Sequence, residues 1–412
     1  MALYAFDGTW NIDEDDDAKD TNVVRFKELY AGANVDYLTG VGTRFGAIGR
    51  VLGGALGVGG RSRIDQMYDD LSENWEDGDR DIDIIGYSRG AALAVHFANK
   101  ISEEGLKLKD GSVVHPEIRF LGLWDVVGSF GLSFDTLIDF QDINLGWNID
   151  KVAGSVLNCF HAMALDERRE TFDLTRLDPE NRLPNVKEVW FRGVHGDIGG
   201  GNNNPERSNI AFRWMLDCAR SCGVPINGAM AKKEKYSKID LKAPVSESMD
   251  PVRDKRRRRS EADEIHPTAK PKSLEVGEAH EFIVLSRLKY NWSGVRLAEG
   301  AVYEFQIADT EKWRDKNIKC GPDGWTSEEL PWYKEMVVER FEDRRRHKKA
   351  NWFELIGALG DEDEHLFRIG KGGTDRRYTA ERDADLWTFA NDLNSKYDNN
   401  KGSIRVTILR VR

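Results

Sequence analysis

The sequence predicts an α/β fold, a mostly parallel sheet with flanking helices, followed by a small all-β sandwich. Two observations predict the first part: short apolar runs alternate with longer amphipathic stretches, and apolar residues within those stretches recur at intervals of three and four. A third predicts the second part, because the alternation is lost after about residue 276 and only short β-rich runs remain. With 412 residues, 40% of them hydrophobic, the chain can bury more than one core, which excludes a disordered or fibrous protein.

Strands are expected over residues 2–6, 82–85, 118–124 and 189–194, and helices over 65–75, 91–101 and 209–222. An open sheet of this kind places its ligands at the carboxyl ends of its strands, so chemistry is sought just after each apolar run. The glycine-rich stretch 53–62 lacks the lysine of a phosphate loop and is expected as a flexible loop near the site. Near residue 250 the composition shifts: the basic run 255–259 precedes an acidic cluster, Pro267 and Pro271, which reads as a solvated connector. The expected division is an α/β domain over 1–245, a linker over 246–275 and a β-sandwich over 276–412, with strands near 282–285, 302–307 and 404–411.

Seventy-one acidic against 60 basic residues give a net charge of −11, a polyanion-repelling balance from which no nucleic-acid partner is expected. The four cysteines, Cys159, Cys218, Cys222 and Cys320, show neither a disulfide framework nor paired metal-ligand spacing, and read as ordinary thiols. The N-terminus lacks the basic start and apolar stretch of a signal peptide, and no segment approaches the roughly 18 apolar residues of a membrane span. Synthesis in the cytoplasm without a Sec signal is therefore the expectation.

The run 82–85 feeds into Gly86-Tyr87-Ser88-Arg89-Gly90 and then into helical sequence. A strand, a G-x-S-x-G turn and a helix are the context of a nucleophile elbow, whose glycines spare the neighbouring elements a clash. A serine hydroxyl needs a base to take its proton and an acid to orient that base. Asp125 follows the run 118–124 and His195 follows 189–194, so Ser88, Asp125 and His195 stand in the α/β-hydrolase order, 37 and 70 residues apart. Asp197 is a rival acid and His266 a rival base; the glycines around His195, which admit close approach of backbone to substrate, favour His195. The oxyanion needs two donors, for which the amide of Arg89 and that of Gly8 or Thr9 are the candidates.

Seven separated motifs over about the first 225 residues resemble one known family. They are 7–11 (DGTWN), 21–23 (TNV), 40–43 (GVGT), 86–91 (GYSRGA), Trp124-Asp125, 161–168 (HAMALDER) and 193–201 (GVHGDIGGG). The family is that of bacterial α/β-hydrolases of the type VI secretion phospholipase effector class. The resemblance implies Ser88 as nucleophile, Asp125 as acid and His195 as base, acting on glycerophospholipid or other esters without a cofactor in the catalytic step. It also implies export by a type VI system and a secretion-machine or immunity partner; a membrane surface is a further candidate partner, although the chain lacks the long apolar lid that would favour a bilayer over soluble esters. The charges of 161–168 read as a helix-surface network that positions the site. Two other functions are compatible with the same residues: a non-catalytic glycan- or envelope-binding protein on a degenerate hydrolase scaffold, and a deacylase of sugar esters.

The C-terminal block resembles a second family, the small calcium-dependent galactose-binding lectins of bacteria, through 389–392 (FAND) and 397–403 (YDNNKGS), and more loosely through 313–324 and 351–353. That resemblance implies a Ca2+ ion on Asp392, Asn399 and Asn400, with the backbone oxygen of Lys396 where the family often has threonine, and Asp315 as an extra ligand. A carboxylate with amide and backbone oxygens is the donor set a hard cation takes. The lectins' sugar-contacting His-Pro segment is replaced by the charged stretch 326–349, so calcium is expected to persist where carbohydrate recognition does not.

Overall fold

A computed structural model describes the whole chain except residues 9–18, 40–54, 129–148, 150, 181, 242, 244, 247–256 and 261. It divides into two compact units, Met1–Thr268 and Ala269–Arg412. In the first unit the strands in chain order are β1 (Ala2–Phe6), β2 (Asn34–Leu38), β3 (Ile82–Tyr87), a small hairpin β4 (Leu106–Lys107) and β5 (Val113–Val114), then β6 (Phe120–Trp124), β7 (Cys159–Ala164), β8 (Val186–Phe191) and β9 (Glu264–Ile265). Seven of them form one all-parallel sheet in the order β2-β1-β3-β6-β7-β8-β9.

Helices α1 (Asn22–Leu29), α2 (Ala55–Glu76), α3 (Arg89–Glu104), α4 (His195–Gly199) and α5 (Pro205–Ser221) accompany the sheet. Strand alternation decides which face each residue serves. Tyr4, Phe6, Ile82 and Ile84 join the core that includes Met67, Leu71, Val95 and Phe97 of α2 and α3, whereas Leu3, Ala5, Ile85 and Tyr87 join the core that includes Phe26, Phe212 and Met215 of α1 and α5. Both faces are covered, which is why β3 reads as a near-continuous apolar run. Its exception, Asp83, is fully buried and held by Arg119 Nε at 2.9 Å and Nη2 at 2.6 Å.

The second unit is the expected all-β sandwich. One sheet runs Lys272–Ser273, Asn291–Leu297, Ala384–Ala390, Trp352–Leu359 and Asp323–Trp325; the other runs Ala279–Leu285, Ser403–Arg410, Val302–Gln306 and Tyr378–Thr379. Apart from the parallel pairing of the first two, neighbouring strands are antiparallel. Ile404, Val406 and Ile408 alternate inward from one sheet and share a core with Leu355 and Leu386 of the other.

Three expectations are corrected here. Of the glycine-rich stretch expected as a loop, residues 53–54 lie outside the described residues, and from Ala55 onward it forms the opening turns of α2. The segment at His161 is not a helix surface: it is the buried strand β7, with His161 fully enclosed. Nor is the linker wholly a connector, since β9 extends the first unit's sheet and Arg257 and Asp263 are bound within that unit. Polar contacts rather than apolar pattern hold this stretch in place, which is why its composition suggested solvent. All four cysteines are free thiols.

Candidate active site and candidate cation site

The three residues expected to carry chemistry stand after the carboxyl ends of β3, β6 and β8. Ser88 sits in the sharp turn between β3 and α3 with φ 60° and ψ −127°, a left-handed conformation that is strained for a residue with a Cβ. The flanking glycines permit it. A Cβ at Gly86 would lie 2.6 Å from the Ala91 Cα, and one at Gly90 would lie 2.4 Å from the carbonyl oxygens of Phe6 and Asp7. Ser88 N–H donates to the Trp124 carbonyl at 3.0 Å, so the elbow is pinned to the residue before Asp125.

His195 opens α4, and its Nδ1 lies 2.6 Å from Asp125 Oδ2. With Nδ1–H donated to that carboxylate, Nε2 is the basic nitrogen of the ring. The imidazole is held between two aromatic rings: Tyr87 stacks on it at 4.7 Å between centroids, and Phe172 meets it edge-on at 4.8 Å. The His195 N–H donates to Glu167 Oε2 at 3.1 Å, and Glu167 is in turn bound by Arg169. Burial lowers the His195 pKa, against the opposing pull of Asp125. The lowered pKa favours the neutral ring.

Asp125 is fully buried with φ 48°. Burial alone would raise its pKa, but the charge of Arg257 and the hydrogen bond from His195 outweigh burial and hold the carboxyl well below the usual range. Arg257 belongs to the basic run read as a solvated connector; instead its side chain is 5% exposed and grips Asp125. His161 steadies the same turn: its Nε2 accepts the Val126 N–H at 3.1 Å while Nδ1 donates to Glu188 at 2.9 Å. Glu188 is bound in turn by Arg176.

The rivals have other partners. Asp197 accepts from Val194 N–H, Asn202, Asn204 and Ser246, and so ties α4 to its surroundings. His266 stacks on Phe191 at 4.6 Å and shares a hydrogen bond with Thr268. Of the oxyanion candidates, the Arg89 amide begins α3 directly after the elbow, where the helix dipole favours negative charge. The Gly8 N–H, however, donates to Asp7 Oδ1 at 2.7 Å, and Thr9 lies outside the described residues. Asp7 also accepts from Thr21 and Tyr37 at 2.8 Å each, and burial pushes its pKa up to about 6.

In the second unit, strand pairing sets Asp315 opposite Asn400. Three side-chain oxygens there, Asp392 Oδ2, Asn399 Oδ1 and Asn400 Oδ1, are buried without a hydrogen-bond partner. Burial and the neighbouring charge of Asp392 push the Asp315 carboxyl up to about 7. The Lys396 carbonyl accepts a long 3.4 Å bond from Asn399 N–H. No group of three or more His, Cys, Asp or Glu side chains that could hold a metal ion gathers among the described residues. The charged stretch is tied down beside it: Arg346 N–H donates to the Asp392 carbonyl at 3.3 Å, and its guanidinium lies between Tyr290 and Phe389.

The family model described as the type VI secretion system (T6SS) phospholipase effector Tle1-like catalytic domain matches residues 3–114 and 107–218. Among solved structures, an uncharacterized protein from Pseudomonas aeruginosa is 21% identical with a TM-score of 0.41, over 58% of this chain and 49% of that one. The match thus spans about half the length of that relative. The Tle1 effector bound to the VgrG spike from the Type 6 secretion system is 18% identical with a TM-score of 0.43, over 59% of this chain and 76% of that one. The EclA N-terminal domain, a PllA-like lectin, is 18% identical with a TM-score of 0.24, over 32% of this chain and 95% of that one. No curated protein matches.

Proposed function

The chain belongs to the T6SS phospholipase effector Tle1-like catalytic-domain family through residues 3–218, and on that ground we propose that it is a serine hydrolase of phospholipid carboxylic esters acting through Ser88, His195 and Asp125. The observation that carries the triad is the 2.6 Å contact between His195 Nδ1 and a buried Asp125, after the strands next to the strained Ser88 turn. Ser88 Oγ attacks the ester carbonyl carbon as His195 Nε2 takes its proton, and Asp125 holds the resulting imidazolium. The oxyanion faces the Arg89 amide, with the second donor supplied by the 8–9 segment once Gly8 N–H turns from Asp7. Collapse expels the alcohol, protonated by His195, and water then releases the acid by the same route. Mass-spectrometric analysis after incubation with mixed phospholipid vesicles is expected to find free fatty acid and lysolipid. A lipid mixture left intact would overturn the lipid assignment. The family also supports export by a type VI machine.

A lipid surface as the place of action is supported by the helix Trp332–Glu339, which exposes Trp332, Tyr333 and Met336 at 72%, 55% and 54% while Val338 packs on the sandwich core. Aromatic rings with an apolar body and a polar edge partition to the membrane interface. Replacing all three with alanine is expected to reduce the vesicle-bound fraction of the full chain at least about tenfold, at unchanged turnover of a soluble ester. Equal vesicle binding would remove this surface from the account.

We propose further that Asp392, Asn399, Asn400 and Asp315, with the Lys396 carbonyl, hold Ca2+. Each buried, unpaired oxygen costs about 1–3 kcal/mol, and a hard cation satisfies all of them at once. The ion would supply charge neutralisation between two carboxylates. In the full chain, calcium at a hundredfold excess over Kd is expected to stabilise the protein by about 2.7 kcal/mol, several degrees in Tm, and D392N to abolish the gain. An unchanged Tm on chelation and re-addition of calcium would exclude the site.

A further inference from the structure

Asp125 has a cationic partner that a Ser-His-Asp triad does not require. Arg257 Nη1 donates to Asp125 Oδ1 at 2.6 Å and Nη2 to Oδ2 at 3.0 Å, and Oδ2 is also the atom that receives His195 Nδ1–H. The same two nitrogens reach the carbonyls of Ala164 at 2.9 Å and Phe172 at 2.7 Å. Ala164 N–H adds a bond to Oδ1 at 2.8 Å. The fork therefore spans the acid, the end of β7 and the residue whose ring packs against His195. A bidentate guanidinium on a carboxylate gives direction as well as charge.

We propose, resting on the triad reading above, that Arg257 is a positioning residue of the reaction: it fixes the plane of the Asp125 carboxylate and shares the negative charge on which His195 depends. The other groups facing His195 are already paired. Glu167, which takes the His195 N–H, is bound by Arg169, and Tyr87 stays uncharged because burial raises its pKa well above the ordinary value. Arg257 thus stands as the direct cationic counterweight on Asp125, and its charge lowers the His195 pKa in the same sense as burial does. A carboxylate shared in this way stabilises the imidazolium less and keeps the imidazole neutral to lower pH.

The test compares wild type, R257Q and R257K on a soluble ester, with kcat/KM measured across pH and the His195 ring titrated by NMR. In R257Q the acid limb and the ring titration are expected to move together to higher pH by about one unit, while kcat falls about tenfold as the acid loses its fixed plane. R257K keeps the charge without the fork, so its limb stays near the wild-type position while kcat remains reduced. A merely structural arginine would lower the folded fraction and leave the limb where it was, and that result overturns the proposal. Should R257Q fail to fold, R257K decides: a wild-type kcat would reject the fork, and a reduced kcat at an unmoved limb supports it. Retained turnover in S88A would instead reject the triad reading and leave the measured shift of His195 to be read on its own.

Discussion

Ser88→Ala is expected to lower ester turnover by at least about 10⁵-fold and to abolish labelling by a fluorophosphonate, while leaving the thermal melt close to wild type. The turn is held by backbone rather than by the hydroxyl: Ser88 N–H donates to Trp124 O, and its carbonyl accepts from Ala91, Ala92 and Val127. Alanine has the same Cβ and meets the same positive φ, so the strain is neither relieved nor increased. Loss of activity with retained folding therefore reports on the oxygen alone. A wild-type protein that fails to react with the fluorophosphonate would favour a binding protein on a degenerate scaffold, and turnover persisting in S88A would place the chemistry elsewhere.

Asp125→Asn is expected to lower kcat by about 10⁴-fold, because the amide no longer accepts Nδ1–H from His195 as a carboxylate does and the imidazolium loses its counter-charge. This substitution also leaves Arg257, 5% exposed, facing a neutral amide, which is expected to cost about 3 kcal/mol or more of stability. The two effects separate in D125N/R257M, where removing the stranded cation restores stability but not kcat. Recovery of turnover along with stability would show that Asp125 serves folding alone. In the wild type the rate depends on neutral His195, so it rises with pH through the ring's pKa. Burial sets that pKa below the ordinary imidazole value, and the acid limb is expected below it.

How much of this was legible in the sequence follows the range of each interaction. The elbow was legible because its requirements are local: an apolar strand, two glycines within two residues of Ser88 and helical sequence after it. Asp125 and His195 were legible because each follows an apolar run, and the chain order of such residues in a parallel sheet is restricted. β7 was not, because His161 and the charges after it resemble a polar helix face until Glu188 and Val126 are seen to satisfy the imidazole. β2 and β9 were missed for the reason that strands at the edges of a sheet carry weak apolar signals.

The amino-acid order by itself determined the α/β-then-β architecture, the turn at Ser88 and the type of side chain at each strand end, because these depend on periodicity and on backbone sterics within a few residues. Only the tertiary structure decided that Arg257 closes on Asp125 across 132 positions, that Gly8 N–H turns to Asp7, and that one oxygen each of Asp392, Asn399 and Asn400 is buried without a partner. Those outcomes depend on which charges and dipoles meet in a space from which water has been removed. Electrostatic pairing in that medium has no period along the chain for a sequence to display.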